Sequence, residues 1–133
     1  MNKRSGFTLI ELMIVVIIMA ALAGMVLPRL LDRAEDAKSY IAEADIASIT
    51  TALKLYKLDN GVYPSSSSGG LNALMTSSSA KNWKGPYLED DPNDPWGRPY
   101  VYKYPGSHNS SSFDLSSKGA DESNSDDDVN NWD

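Results

Sequence analysis

The sequence predicts an α+β protein in which one long N-terminal helix packs against a small antiparallel β-sheet head. Three observations support this fold class: an apolar run at residues 7–27, an apolar stripe with helical spacing after it, and strand-like aromatic segments between residues 100 and 115. The chain has 133 residues, which suffices for one compact domain and a membrane helix but not for two domains.

The apolar run at residues 7–27 contains 21 residues and a single charged side chain, Glu11. As a helix, a run of this length can cross a hydrocarbon core about 30 Å thick. Lys3 and Arg4 in the leader "MNKRSG" would hold the N-terminus in the cytoplasm and place the rest of the chain across the membrane. A cleaved secretory signal has a shorter apolar stretch, with its cleavage site after that stretch. The run therefore indicates a retained membrane helix, either an ordinary signal anchor or a segment in which the carboxylate has a use.

Helical spacing continues past Pro28, although a proline removes one backbone donor from a helix. Apolar residues recur three and four positions apart and form a stripe that can pack on a head domain. This stripe consists of Ala34, Ala37, Ile41, Ala42, Ile46, Ile49, Leu53 and Tyr56. We predict that the helix ends near Leu58. Asn60 and Gly61 follow there and suit a left-handed cap, and Pro64 prevents the helix from resuming.

The head is predicted to contain two short antiparallel strands. "YVYKY" at Tyr100–Tyr104 has high strand propensity, "PGS" makes a turn, and "FDL" at Phe113–Leu115 can return as the second strand. The segment before them is mostly polar loop, with one or two helical turns at "LNALM". The side chains available to cover the helix stripe are Trp83, Tyr87, Leu88 and Trp96, which we expect in the core rather than in a ligand site.

Composition and charge exclude several classes of function. The net charge is −6, and the basic footprint that nucleic-acid binding requires is missing. The chain has no cysteine and one histidine, His108 in the polar stretch "GSHNSSSF", so it lacks a thiol nucleophile and a paired-histidine zinc site. We therefore expect neither an enzyme nor a protein with a small-molecule substrate, and we expect His108 to be a solvated loop side chain.

Acidic side chains are concentrated at the C-terminus. Residues 113–133 contain Asp114, Asp121, Glu122, Asp126, Asp127, Asp128 and Asp133 against the single basic residue Lys118. Such a segment can be a disordered, solvated tail, or it can be a calcium site, since carboxylate and carbonyl oxygens are the ligands of Ca²⁺. The spacing does not match the EF-hand loop, and composition leaves both interpretations open.

The N-terminal segment "SGFTLIELMIVVIIMAALAGMVLP" resembles the type III signal of the type IV pilin and pseudopilin superfamily. The resemblance implies that a prepilin peptidase cuts after Gly6 and methylates the new N-terminal amine of Phe7. It also implies a role for Glu11, whose carboxylate would neutralise that amine on a neighbouring subunit. Two charges in an apolar layer would then be tolerated as a pair, and the carboxylate would serve assembly rather than insertion.

The C-terminal half resembles the protein G type of major pseudopilins from bacterial type II secretion systems. The likeness rests on "DPWGRPYVY", on "PG" followed by His108, and on "GAD" followed by "DDVNNW", in that order. It implies a pilin-like fold with a calcium-binding loop near the C-terminus.

By this resemblance, calcium would be held by the carboxylates of Asp121 and Asp127, together with Asp128, and by backbone carbonyls near Lys118, Ser123 and Val129. The run of three aspartates leaves the register open, and this loop is serine-rich where relatives are often glycine-rich. An ion bound only by the folded loop would stabilise a head domain that has no disulfide.

Together, the resemblances imply a cleaved leader peptide at residues 1–6, a transmembrane assembly helix at 7–27 and a pilin-like periplasmic head at 28–133. The implied function is the major structural subunit of a pseudopilus that polymerises from the Gram-negative inner membrane and drives protein export across the outer membrane. The implied partners are further copies of the chain, minor pseudopilins, the inner-membrane assembly platform and the prepilin peptidase.

Two other functions stay open. A type IV pilin for motility or adhesion shares the N-terminal signal, but such pilins usually carry a C-terminal cysteine pair that this chain lacks. A membrane-anchored calcium-binding module would need the acidic C-terminus but would have no use for Glu11.

Overall fold

The computed structural model describes residues 3–77 and 80–133, and Met1 and Asn2 of the predicted leader lie outside the described residues. The chain divides into two compact units, Met1–Asp36 and Ala37–Asp133. In chain order the elements are helix α1 at Leu9–Asn60, 3₁₀ helices at Ser66–Ser68 and Gly70–Leu74, and strands β1 at Val101–Lys103, β2 at Asp114–Ser117 and β3 at Val129–Asn130. The long helix and the small antiparallel sheet confirm the predicted α+β class.

Helix α1 is 52 residues long and continues through Pro28, as the spacing of its apolar residues predicted. Its first part lies in the N-terminal unit, where every described side chain is exposed in the isolated chain. The helix contains an 18-residue window with a mean hydropathy of 2.7 and, among the described residues, is the one helix long and apolar enough to cross a membrane. An apolar helix without cover from its own chain is suited to lipid or to other apolar helices.

The second part of α1 lies in the C-terminal unit and buries one face. The buried residues of the helix are Ala42, Ile46, Ile49, Ala52, Leu53 and Tyr56. The predicted stripe is thus correct from Ala42 onward, but its first members Ala34, Ala37 and Ile41 are exposed. Spacing identifies the apolar face of a helix, whereas the length that is covered depends on the size of the core packed against it.

The end of α1 follows the predicted cap. The Gly61 N–H donates to the Lys57 carbonyl over 2.7 Å, and Gly61 has a φ of +83°. The Asn60 side-chain Nδ2 donates to the Tyr56 carbonyl over 3.0 Å. Glycine adopts this left-handed geometry without the strain that a Cβ introduces. The helix therefore ends at Asn60, slightly beyond the predicted Leu58.

The sheet has the strand order β1-β2-β3, and both strand pairs are antiparallel. Tyr102 lies opposite Leu115 in the first pair, and Ser116 lies opposite Asn130 in the second. The two predicted strands are present, but β3 was not predicted, because its two residues carry no periodic pattern. It orders part of the acidic C-terminus that composition alone allowed to be a disordered tail.

Aromatic and aliphatic side chains complete the core of the C-terminal unit. Outside α1, the buried apolar residues are Tyr63, Ala73, Leu74, Tyr100, Phe113 and Leu115. The predicted covering residues Trp83, Tyr87 and Leu88 pack against this core, and Trp96 is half-buried. The rings of Tyr63 and Phe113 meet edge to face with their centroids 4.9 Å apart, an arrangement that aromatic quadrupoles favour.

Two tyrosines, one directly before β1 and one within it, place their hydroxyl groups on polar partners. The Tyr100 hydroxyl donates to the Asp45 carboxylate on α1 over 2.8 Å, and the Tyr102 hydroxyl donates to the Pro64 carbonyl over 2.7 Å. Burial, followed by the hydrogen bond to Asp45, raises the pKa of Tyr100 far above its ordinary value. A neutral hydroxyl group therefore joins the sheet to the helix in addition to apolar packing.

Candidate functional site

The predicted cleavage site lies before α1. Gly6 and Phe7 are both exposed, and the Phe7 side chain is 88% exposed. Apart from Gly6 itself and its two chain neighbours, no described residue has an atom within 4 Å of the position that a Cβ on Gly6 would occupy. The Gly6–Phe7 peptide bond is therefore accessible in the isolated chain, and cleavage and methylation there stay predictions.

Glu11 caps the start of α1 together with Thr8. The Glu11 oxygen Oε2 accepts hydrogen bonds from the Thr8 N–H over 2.8 Å and from the Thr8 hydroxyl over 3.1 Å. In return, the Glu11 N–H donates to Thr8 Oγ1 over 3.2 Å. This reciprocal pair is a capping box, which satisfies backbone donors that a helix start leaves open. The pattern "TLIE" is its sequence signal, although the sequence prediction did not include it.

The capping box and the predicted intersubunit pair use the same carboxylate. Thr8 follows the Gly6–Phe7 bond, so cleavage would keep the capping box and add a free amine at Phe7. Glu11 can therefore have a local role at the helix start and a second role between subunits. Substitutions at Thr8 and Glu11 can separate the two roles, because only the second requires a charge.

The segment between β2 and β3, residues 118–128, is called the acidic loop below. Its start is fixed by a buried polar network. Ser117 donates its hydroxyl to Asp94 Oδ2 over 2.6 Å, and the Gly119 N–H donates to Ser117 Oγ over 3.2 Å. Asp94 is only 4% exposed and accepts the Arg98 N–H through Oδ1 over 2.8 Å. Because the buried Asp94 and Ser117 side chains are both hydrogen-bonded, this network can hold the loop start rigidly.

Asp127 folds back onto the start of the acidic loop. Its oxygen Oδ2 accepts hydrogen bonds from the N–H groups of Ala120 and Asp121 over 2.8 and 3.0 Å. Its other oxygen, Oδ1, is buried and has no hydrogen-bond partner among the described residues. A buried carboxylate oxygen without a partner is unfavourable, and a bound cation would satisfy it.

Gly119 permits this close return of the chain. It has a φ of +63°, and a Cβ at this position would collide with the carbonyl oxygen and the carboxyl group of Asp127. A larger residue would be strained and would displace Asp127. The glycine of "KGAD" therefore shapes the loop around the Asp127 carboxylate.

The other predicted side-chain ligands, Asp121 and Asp128, lie in different surroundings. Asp121 is exposed, and its Oδ1 accepts hydrogen bonds from the Ser123 N–H and hydroxyl over 2.9 and 2.8 Å. These bonds, with the charge of Arg98, lower the pKa of Asp121. Asp128 is half-buried, and burial, followed by the charge of Asp127, raises its pKa. A cation between Asp127 and Asp128 would reduce their repulsion.

The predicted side-chain ligands lie in one loop but do not form a three-carboxylate cluster. In residues 3–77 and 80–133, no group of three or more His, Cys, Asp or Glu side chains is arranged to hold a metal ion. Backbone carbonyls would have to complete a site around Asp127 Oδ1, and Ca²⁺ accepts such mixed oxygen ligands. The predicted carbonyl donors Lys118, Ser123 and Val129 lie at the start of, within and directly after the acidic loop.

His108 has a structural position that the sequence did not indicate. Its ring stacks on Trp132, with centroids 4.1 Å apart and an interplanar angle of 5°, and its Nδ1 lies 3.1 Å from Asp114 Oδ2. The buried Asp114 also accepts the N–H groups of Ser107, His108 and Asn109 over 2.7, 2.9 and 2.9 Å. The histidine is 57% exposed, but it joins the β1–β2 turn to the C-terminus instead of being only a solvated side chain.

Two family models match the chain. Residues 29–132 match the family described as type II secretion system (T2SS), protein G. Residues 1–27 match the prokaryotic N-terminal methylation motif. The first match covers well over half of the chain, and the second covers the predicted leader and the apolar run.

Curated relatives carry the name type II secretion system core protein G. The relative from Pseudomonas aeruginosa is 46% identical, and the alignment covers 99% of this chain and 97% of the relative. The relative from Vibrio cholerae is 42% identical, covering 91% of this chain and 84% of the relative. The relative from Escherichia coli K12 is 40% identical, and the alignment covers 98% of this chain and 92% of the relative.

A solved structure has the same fold. The crystal structure of the major pseudopilin from the type 2 secretion system of enterohaemorrhagic Escherichia coli matches with a TM-score of 0.66 and 31% sequence identity. The match covers 79% of this chain and 95% of that chain. It confirms the pilin-like fold predicted from the sequence.

Proposed function

The chain belongs to the protein G family of type II secretion systems, and we propose on this basis that it is the major structural subunit of the type II secretion pseudopilus. The observation that carries the proposal is the match of residues 29–132 to this family, directly after an N-terminal methylation motif at residues 1–27. The family is one of structural subunits rather than enzymes, so the function is assembly and not catalysis.

The apolar N-terminal segment anchors the subunit in a membrane before assembly. Lys3 and Arg4 precede this segment, and positive charges are retained on the cytoplasmic side of a membrane helix. On this argument, the segment lies in the Gram-negative inner membrane and the C-terminal unit lies in the periplasm.

Assembly begins, in this proposal, with cleavage of the Gly6–Phe7 bond and methylation of the Phe7 amine. The large apolar side chains between Leu9 and Leu27 are all at least 50% exposed in the isolated chain. Packing these segments against those of neighbouring subunits would cover the exposed surface. The Glu11 carboxylate of one subunit would pair with the Phe7 amine of its neighbour, because a charge in an apolar layer is tolerated when it is paired.

The proposed partners follow from this assembly. Copies of the chain form the filament, minor pseudopilins join it, and the prepilin peptidase processes each subunit. The inner-membrane assembly platform adds subunits at the filament base, and the growing filament drives secreted proteins across the outer membrane.

The acidic loop is proposed to bind calcium through Asp127 Oδ1, with Asp121 and Asp128 as the further predicted carboxylates. The support is the buried Oδ1, which has no hydrogen-bond partner in residues 3–77 and 80–133, and the glycine that shapes the loop around this carboxylate. Bound calcium would offset the negative charge of the loop carboxylates and stabilise the folded loop by mass action. Lys118, Ser123 and Val129 would contribute backbone carbonyls.

Deletion of the gene in its own host tests the proposed function. Proteins that are normally released should accumulate in the periplasm, and pseudopili should no longer form when the secretion system is overproduced. A plasmid copy of the wild-type gene should restore both properties. Normal secretion combined with loss of surface motility or adhesion would instead identify the chain as a type IV pilin.

A further inference from the structure

Two successive peptide groups of the acidic loop lie between Arg98 and Asp127. The Gly119 carbonyl accepts a hydrogen bond from Arg98 Nη1 over 3.0 Å, and the Ala120 carbonyl accepts one from Arg98 Nη2 over 3.1 Å. The N–H ends of the same two peptide groups, on Ala120 and Asp121, both donate to Asp127 Oδ2. Carbonyl and N–H point in opposite directions in a trans peptide, so each group links the guanidinium to the carboxylate.

This arrangement aligns charges and dipoles in one direction. The positive guanidinium faces two carbonyl oxygens, and the negative carboxylate faces two N–H groups, so each hydrogen bond polarises the next one. The two bonds fix Asp127 Oδ2 and leave Oδ1 as the oxygen without a partner. Arg98 can therefore influence the orientation of the Asp127 carboxylate through the two peptide groups that it binds.

Arg98 is itself held at its backbone. Its N–H donates to the buried Asp94 carboxylate, which also accepts the Ser117 hydroxyl at the end of β2. The guanidinium also forms an ion pair with Glu122, whose Oε1 lies 3.6 Å from Arg98 Nε on a side chain that is 66% exposed. An ion pair with this exposure contributes little, so the bonds to the two carbonyls dominate the position of the guanidinium.

We propose that Arg98 is a positioning residue for the cation site of the acidic loop. Through the peptide groups 119–120 and 120–121, it orients Asp127 so that Oδ1 faces the site, and it thereby selects Asp127 from the run of three aspartates as a ligand. This inference rests on the proposed calcium binding of the loop. It extends that proposal by naming a residue outside the loop that sets the affinity for the ion.

Calorimetric titration of the full chain in detergent micelles with Ca²⁺ tests the inference. Arg98→Ala should weaken calcium binding by about 10- to 100-fold, as is typical when a residue that orients a metal ligand is removed. Arg98→Lys should be nearly as weak, because one ammonium cannot bind two carbonyls in the planar geometry of a guanidinium. Glu122→Gln is the matched control, since it removes the ion pair but keeps both carbonyl bonds, and its loss of affinity should be much smaller than that of Arg98→Ala.

The outcomes separate this inference from the proposal on which it rests. Absence of calcium binding by the wild-type chain overturns both. Wild-type binding that is unchanged in Arg98→Ala, or fully retained in Arg98→Lys, overturns only the positioning role. Near-UV circular dichroism in chelator shows whether each variant is folded. If Arg98→Ala does not fold, the affinity of the folded Arg98→Lys variant decides the question, because a general structural role of the positive charge would be rescued by lysine.

Discussion

Individual polar side chains satisfy backbone groups that the short strands leave unpaired in the C-terminal unit. Asp114 accepts three N–H groups of the β1–β2 turn, and Asp127 accepts two N–H groups at the start of the acidic loop. The Gly61 cap was predictable, because its signal is local in sequence. The orientation of the Asp127 carboxylate was not predictable from the sequence. It depends on Arg98, which is distant in sequence, and on the fold that brings the two segments together.

The acid sensitivity of the head should depend on Asp114. Burial alone would raise the pKa of this carboxyl, but the N–H groups of His108, Asn109 and Ser107 and the His108 ring together lower it to about 2. A folded-state pKa below the ordinary value of 3.8 stabilises the fold above that pH, and this contribution is lost as the pH falls toward about 2. Asp114→Asn should therefore lower stability at neutral pH and flatten the loss of stability between these two pH values.

Urea unfolding of the full chain in micelles at a series of pH values measures this effect. Asp91→Asn is the control, because Asp91 is an exposed carboxylate in a loop. A variant at Asp114 with the same pH dependence as the wild type would show that its hydrogen bonds do not stabilise the ionised form.

The register of the calcium ligands can be decided by comparing Asp127→Asn with Asp126→Asn. In the wild type, calcium at 100 times its Kd should stabilise the fold by about 2.7 kcal/mol. Asp127→Asn should abolish this gain, because the buried Oδ1 is lost as a charged ligand, whereas Asp126 is exposed and its substitution should preserve the gain. Asp121→Ala should reduce the stabilisation by calcium, because Asp121 is a further predicted carboxylate ligand. Thermal melting with and without chelator provides the measurement, and loss of the gain in Asp126→Asn alone would assign the ligand to Asp126.

At the scale of elements, the sequence predicted those helices and strands whose residues show a periodic pattern. Helix α1 was predicted nearly to its last residue, since its stripe and its cap are both visible in the sequence. Strand β3 was not predicted, because its two residues are too few to show a periodic pattern. A neighbouring side chain outside the strand also helps to hold it. Asn131 accepts the Leu115 N–H over 2.8 Å and donates to the Phe113 carbonyl over 3.1 Å through its side chain.

Asn131→Ala should therefore weaken the attachment of β3 to β2. The Leu115 N–H would lose its side-chain acceptor, and the Phe113 carbonyl would keep only the longer hydrogen bond from Asn109 Nδ2 over 3.3 Å. We expect a cost of about 1–3 kcal/mol in the free energy of unfolding. Asn130→Ala is the matched control, because among the described residues the Asn130 side chain binds only the exposed Asp133 carboxylate. Hydrogen exchange at the Leu115 amide should accelerate in the first variant only. Equal protection in both variants would show that the two residues of β3 suffice.

At the scale of the whole molecule, the isolated subunit has two features that call for something outside it. The N-terminal unit exposes an apolar helix, and the C-terminal unit contains a buried carboxylate oxygen that has no partner in the part of the chain that the structure describes. Neighbouring subunits would cover the first, and a cation would satisfy the second. The sequence motifs predicted both needs, but the capping box adds that Glu11 already has a role within its own chain.

Glu11→Gln separates the two roles of this residue. Glutamine can still form a capping box with Thr8, but it cannot neutralise the Phe7 amine of a neighbouring subunit. We therefore expect normal membrane insertion and normal cleavage after Gly6, with no detectable pseudopili. Membrane fractionation, the mass of the processed subunit and electron microscopy of sheared filaments measure the three steps.

Thr8→Ala is the complementary change, because it removes the capping hydroxyl and keeps the charge of Glu11. Loss of such a cap typically costs a helix about 1 kcal/mol, which a filament stabilised by many apolar contacts should tolerate, so pseudopili should still form. The control for Glu11→Gln is Asp32→Ala, which removes an exposed carboxylate elsewhere on α1. If Glu11→Gln assembles normally while Thr8→Ala does not, Glu11 serves the start of its own helix, and the charge pair between subunits is excluded.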